Sequence, residues 1–348
     1  MSVMPRAPTK GDAHLPSRTN SVILGRQDYL SVLLRLTGME LYKVHRRAMS
    51  KVVGMMAIAI VMLIFLLISL GTFVVLNAPP EAFTAPAPCQ GSRPASCQQP
   101  SAAQSAQARL EALQTASEPL RLPNSLSIIE QLAIPPGAFL LITLVGSMVG
   151  GEFSIGTVRL MFTRGPTRTQ FLFAKLGATI VCIVIGVLVM FITGVLASQL
   201  FNLASGIGQD LTFFTASWLV HTILFVLVAM LNWLMYAAIA IFFGTLGRSI
   251  VAGIVGALSW FFAEAIVQGV LSLAGFFNRG PFGNFLKAIP DYFIGNNVGA
   301  LAQNQGQYIF GGSGSSLSDL HALIVLAFYF SAFIGLAWWV NKRRDVTN

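Results

Sequence analysis

The stretch from Gly150 to Lys175 concentrates the charge chemistry of this chain. Glu152 opens it, and Arg159, Arg164, Arg168 and Lys175 follow, punctuated by Gly156, Thr157, Gly165 and Pro166. Helical spacing sets Glu152, Gly156 and Arg159 along one side, and Gly165-Pro166 breaks the helix before Thr167. Such a helix–break–helix offers an acidic start and a basic end to a complementary surface through charge-assisted contacts. The plainer reading is topogenic charge with helix caps, and charge alone leaves both open.

A second set of polar residues lies inside apolar segments: Asn232, and Glu264 with Gln268 one helical turn apart. Polar groups in hydrocarbon are costly, so these face either a substrate cavity or a hydrogen-bonding neighbour helix. Enzyme chemistry finds little support. The chain has no G-x-x-x-x-G-K-[ST] loop to cradle nucleotide phosphates and no H-E-x-x-H, and its histidines (His14, His45, His221, His321) are scattered. Around Ser313, the run Gly311-Gly-Ser-Gly-Ser315 lacks the final Gly of a nucleophile elbow.

The elements that must carry these residues follow from composition. Hydrophobic residues make up 55% of the chain and charged residues 10%, with a mean hydropathy of +0.71. A water-soluble domain needs far more charge than that. Six segments are long and apolar enough to cross a bilayer: about 52–76, 132–151, 176–201, 218–247, 249–273 and 321–340. Each must satisfy its own backbone in lipid, which predicts an all-α polytopic membrane protein. Basic residues divide 17 to 5 between the two sides, which predicts cytoplasmic termini and a cytoplasmic 150–175 connector. The net charge of +9 then reflects topology and anionic lipid, with no nucleic-acid partner expected.

Ahead of the first span, residues 1–26 read as a disordered cytoplasmic tail and 27–51 as an interfacial helix. In that helix Leu30, Leu33, Leu34, Thr37, Leu41, Val44 and Ala48 form the apolar face, with Arg35, Lys43, Arg46 and Arg47 opposite. The first span is too long for a cleavable signal and is expected to remain as an anchor. The external loop 77–131 holds Cys89 and Cys97, spaced for a local disulfide in an oxidising compartment, with two free thiols the alternative. It also holds one candidate exposed helix over 101–118. Cys182 reads as a small buried hydrophobe. Spans four and five are joined by a tight hairpin at Gly244–Ser249. The external region 274–320 carries a candidate re-entrant helix and a flexible Gly/Ser linker over 311–316. The domain that does the work is 52–340, followed by a cytoplasmic tail over 341–348.

The string Glu152-Phe-Ser-Ile-Gly-Thr-Val-Arg159, with Arg164-Gly-Pro-Thr-Arg168 and Lys175, resembles the permease subunits of the ABC-2 transporter family. There a pattern like E-x-x-x-G-T-x-R, then Pro followed by Ser-Arg, then a basic residue entering the third span, follows the second helix. Thr167 stands where Ser is usual. The layout is similar too, with a basic interfacial helix, a large first external loop, six spans and a helical excursion before the last. The resemblance implies a permease of a bacterial cytoplasmic membrane, exporting substrate by alternating access. Its partners would be two separate ATPase subunits, which carry the ATP and Mg, and a second permease copy, homologous or identical. This chain itself would hold no cofactor or metal. Residues 150–175 would be the coupling helix that rides on the ATPase. Two other readings stay open: an ion-coupled transporter using Glu264 as proton carrier, and a non-transport anchor or assembly component. The substrate does not follow from the sequence.

Overall fold

The computed structural model describes residues 29–79, 82, 102–155, 167–206, 208, 212–277 and 280–343. Cys89 and Cys97 lie outside the described residues, as do Gly156, Thr157, Arg159, Arg164, Gly165 and Pro166 and the tail over 1–26. Among the described residues regular structure is helical, and six helices are long and apolar enough to cross a membrane. They are α2 (Ala48–Asn77), the run Asn124–Phe153, α6 (Arg168–Ala204), α7 (Ala216–Gly247), α8 (Ile250–Phe277) and α11 (Asp319–Arg343). The remaining helices are α1 (Tyr29–Arg46), α3 (Ala102–Ser117), α9 (Pro281–Ala288) and α10 (Ile294–Phe310).

The second span is built in pieces for a local reason. Pro135 and Pro136 offer no N–H, and their rings crowd the carbonyls one turn earlier. The chain responds by widening: α4 (Asn124–Ile128) passes through a π-helical turn, Ile129–Ala133, into α5 (Ile134–Ile155). The span therefore starts well before residue 132. A run that reads from sequence as the end of a polar loop is part of the bundle.

α6 starts where the Gly-Pro break predicts. Thr167 is its N-cap, accepting from the Gln170 amide at 3.2 Å while Gln170 Oε1 accepts from the Thr167 amide at 3.0 Å. Ser or Thr makes this reciprocal box equally well, so the departure at Thr167 is chemically small. At 37 residues α6 is about 55 Å long, against about 30 Å of hydrocarbon. It is therefore longer than an untilted crossing requires.

α7 is the hub. Ala237, Ala238, Ile239, Ala240 and Ile241 are all fully buried, because α5, α6, α8, α10 and α11 pack round it. Small side chains allow that approach. Arg248, in the left-handed region at φ 48°, turns the chain directly into α8 as the expected hairpin. Gly150 of α5 lies against that turn. A Cβ there would sit 2.4 Å from Ile250 N and from Ser249 C and O. Ala is the better helix former by about 1 kcal/mol, but backbone atoms cannot step aside as a side chain would. Gly150→Ala is thus expected to destabilise by about 1–3 kcal/mol, read as a lower apparent melting temperature of the purified protein.

Two regions carry contacts beyond the sequence expectations. In α1 the buried residues are Leu36, Glu40 and Val44, while Leu30 and Leu34 are exposed. A second face, centred on a glutamate, packs on α6, and Lys43 turns toward it. The Gly/Ser segment before α11 is pinned by Asn304, whose Oδ1 accepts from Ser315 N at 2.6 Å and whose Nδ2 donates to Leu317 O at 2.9 Å. α3 forms as expected but leans on α2: Arg109 donates to Leu76 O, and Thr72 to Ala116 O.

The bundle has two distinct ends. One gathers α1, the end of α5, the start of α6, the α7–α8 hairpin and the end of α11, where Asn341 Nδ2 donates to Arg168 O at 3.0 Å. The other gathers α3, α4, the N-terminal half of α7, α10 and the start of α11. Among the described residues, Lys43, Arg47, Arg168, Lys175 and Arg248, which the sequence assigns to one side, share the first end.

Candidate functional site

At the basic end, four charged side chains close into a ring. Lys175 Nζ donates to Glu40 Oε2 at 3.1 Å and to Met148 O at 2.8 Å, and pairs with Glu152 Oε2 at 2.9 Å. Lys43 Nζ reaches the other oxygen of each acid, Glu40 Oε1 at 2.6 Å and Glu152 Oε1 at 2.9 Å. Lys175 is fully buried, with Glu40 at 4% and Glu152 at 6% exposure, so the ring is net neutral and largely dry. The Phe171 face lies 4.8 Å from the Lys175 ammonium. Arg47 adds a long contact to Ser147 O. The ring ties α1 to both roots of the 156–166 segment.

This location changes what Glu152 and Lys175 can do. Both are spent on internal pairs, so they brace the roots of the connector. Arg168 is engaged as well, with Nη1 donating to Asn341 O at 3.4 Å and Lys342 O at 3.2 Å. The sequence reading placed Lys43 only on the basic face of α1 and missed Glu40. Glu40 sits one turn from both Leu36 and Val44, an acid in register with the buried stripe of a basic helix.

Lys43 is the ring member open to solvent. Burial alone would lower its pKa, but the Glu40 and Glu152 carboxylates outweigh that and hold it above its ordinary 10.5. A raised folded-state pKa gives stability that is complete below the unfolded value and lost only as pH climbs through the folded one. The melting difference between wild type and Lys43→Met is therefore expected to stay constant from neutral pH to about 10 and to shrink above that. A difference that already fades near pH 8 would contradict the pairing.

Toward the other end lies a cavity of about 480 Å³. Ser127 comes from α4, Glu130 and Gln131 from the widened turn, and Phe225, Asn232 and Tyr236 from α7. Phe261 comes from α8, and one face of α10 runs from Gly295 through Gly299 and Gly306 to Phe310. Of the intramembrane polar residues read from sequence, Asn232 lines this cavity. Glu264 and Gln268 act as clamps for α10: Glu264 Oε1 accepts from Gly295 N, and Gln268 Nε2 donates to Asn296 Oδ1 at 3.0 Å. A carboxylate at a helix N-terminus complements its dipole. The remainder of α10 is held by a polar chain in which His221 Nδ1 meets Gln305 Oε1 at 2.8 Å, and Asn304 and Gln305 both donate to Asp319.

Glu130 was missed because a charge just ahead of Leu132 reads as the boundary of a span. The Pro135-Pro136 pair was the available signal, since it predicts a distorted and polar start. A second, apolar cavity of about 510 Å³ opens between α1, α2, α5, α6 and α7, where Cys182 is half-buried on the wall.

A family model for a protein of unknown function, DUF2705, matches residues 126–347. The chain belongs to that family. The match takes in the polar cavity, Glu152, the connector and Lys175, but stops short of α1, so Glu40 and Lys43 lie outside it. No curated protein matches the chain.

Proposed function

We infer that this DUF2705 chain is the membrane-spanning permease subunit of an ATP-driven transporter of the ABC-2 kind. It works with a second permease copy and two separate ATPase subunits, on which ATP and Mg reside. The basic end faces the cytoplasm, and substrate leaves the cell by alternating access through the bundle.

The observation that carries the reading is the buried ring of Glu40, Lys43, Glu152 and Lys175. A connector that merely turned the chain would need no such anchorage. Here both of its roots are bound to α1, and Gly150 binds one root to the α7–α8 hairpin. A push on 156–166 is therefore delivered to α1, α5, α6 and the hub helix together. Coupling requires that the ATPase contact differ in free energy between two states, and a stiffly mounted connector passes that difference on. The composition of the chain explains why such a partner is needed, since it has no phosphate-binding loop of its own.

The test is purification of the tagged chain from its own membrane in mild detergent. An ATPase subunit that co-purifies, and whose hydrolysis rate responds to the permease in reconstituted vesicles, is the expected result. A chain that comes out alone, and whose transport survives ATP depletion but collapses with the proton gradient, would replace this reading with the ion-coupled one.

A further inference from the structure

The polar cavity has a charge balance that points to its ligand. Glu130 Oε2 is sealed from solvent and has no hydrogen-bond partner, and Glu130 forms part of the cavity wall. None of the described residues lining the cavity carries a positive charge. A carboxylate with one oxygen sealed from water and without a donor is costly until a countercharge arrives. The walls beside it are aromatic. Tyr236 and Phe261 meet edge to face with centroids 5.2 Å apart, and Phe225 and Phe310 do the same at 5.6 Å. Aromatic faces carry a negative quadrupole, which attracts a weakly hydrated cation and repels an anion.

We propose that this cavity binds an organic monocation, a bulky ammonium or phosphonium, with Glu130 as countercharge and the aromatic pairs as its cage. The volume suits a drug-sized molecule. A small hydrated metal ion would instead need several oxygen ligands converging, and Glu130 is the one carboxylate on the wall among the described residues. The inference rests on the transport reading in taking the cavity as the substrate site, and it names the class of substrate.

The probes are tetraphenylphosphonium and tetraphenylborate, which share a shape and differ in the sign of charge. Binding is measured by equilibrium dialysis on the full chain in a non-ionic detergent, with no ATPase subunit present. Saturable binding of the phosphonium and none of the borate is expected. Glu130→Gln should weaken the phosphonium by roughly 30-fold or more, the loss that follows removal of one partner of a buried charge pair. Asn232→Asp adds a second carboxylate on the same wall and should tighten it, which decides the matter if the Glu130 variant does not fold. Equal binding of both ions, no saturable phosphonium binding, or wild-type affinity in Glu130→Gln would overturn the proposal. An ATPase that co-purifies with a chain indifferent to the phosphonium would remove this inference alone. Charge-selective binding by a chain with no ATPase partner would keep it and remove ATP as the driving force.

Discussion

Lys175→Met is expected to lower the stability of the protein by about 3–5 kcal/mol, the range found when one partner of a buried ion pair is removed. The methylene stem is kept, so packing against Phe171 is little changed and the loss is electrostatic. What remains is two carboxylates facing one ammonium. Glu40 Oε2, Glu152 Oε2 and Met148 O each lose a donor that no water replaces, since Lys175 is fully buried. The double variant Glu40→Gln/Lys175→Met restores neutrality and leaves the Lys43–Glu152 pair at 2.9 Å intact. It should therefore melt above Lys175→Met, with a coupling of about 0.5–3 kcal/mol between the two positions. Apparent melting temperatures in detergent, with the wild type alongside, give the comparison. A Lys175→Met protein that melts with the wild type would mean that the ring contributes nothing. If the double variant folds and the coupled ATPase rate is unchanged, the ring is a staple and does not transmit force.

Much of this architecture could be read in advance because lipid makes the code simple. Runs of about 20 apolar residues with no internal alternative became helices; most ends moved by four residues or fewer, while the second and third spans start eight residues earlier than expected. The α7–α8 hairpin at Arg248 and the start of α6 at Thr167 were equally legible, since a left-handed turn and a capping hydroxyl act locally. What escaped was decided by partners distant in sequence. Glu40 looked like one acid on a basic helix, and its meaning depends on Lys175, 135 positions away. Glu264 looked like a free intramembrane acid, but α10 puts an amide in front of it. Glu130 was lost to a boundary drawn at the first charge, when a proline pair had already widened that turn into the bundle.

Arg164→Glu is expected to uncouple ATP hydrolysis from transport while insertion stays as in the wild type. Two basic positions of the connector are natural targets, but they are not equivalent. Arg168 holds the end of α11 through Asn341 O and Lys342 O, and Asn341 returns a bond to Arg168 O. Reversal there damages a contact inside the bundle as well as any contact outside it, so Arg168→Glu should also lower the melting temperature. Arg168→Glu therefore mixes the two effects, and its melting temperature separates them. Reversal of one charge at a close interfacial pair costs about 2–5 kcal/mol, which is roughly 30-fold or more in affinity for the ATPase subunit. The loss should be recovered by an acid-to-base change at the facing position of the ATPase, and added salt should not mimic it if the pair is desolvated. Two measurements carry the test: ATPase turnover stimulated by the permease, and the amount of ATPase subunit retained on the purified chain. Wild-type values of both in Arg164→Glu would mean that the connector is a loop whose charge serves topology alone. Loss of stimulation with full retention would place Arg164 in the power stroke and leave docking to the rest of the connector.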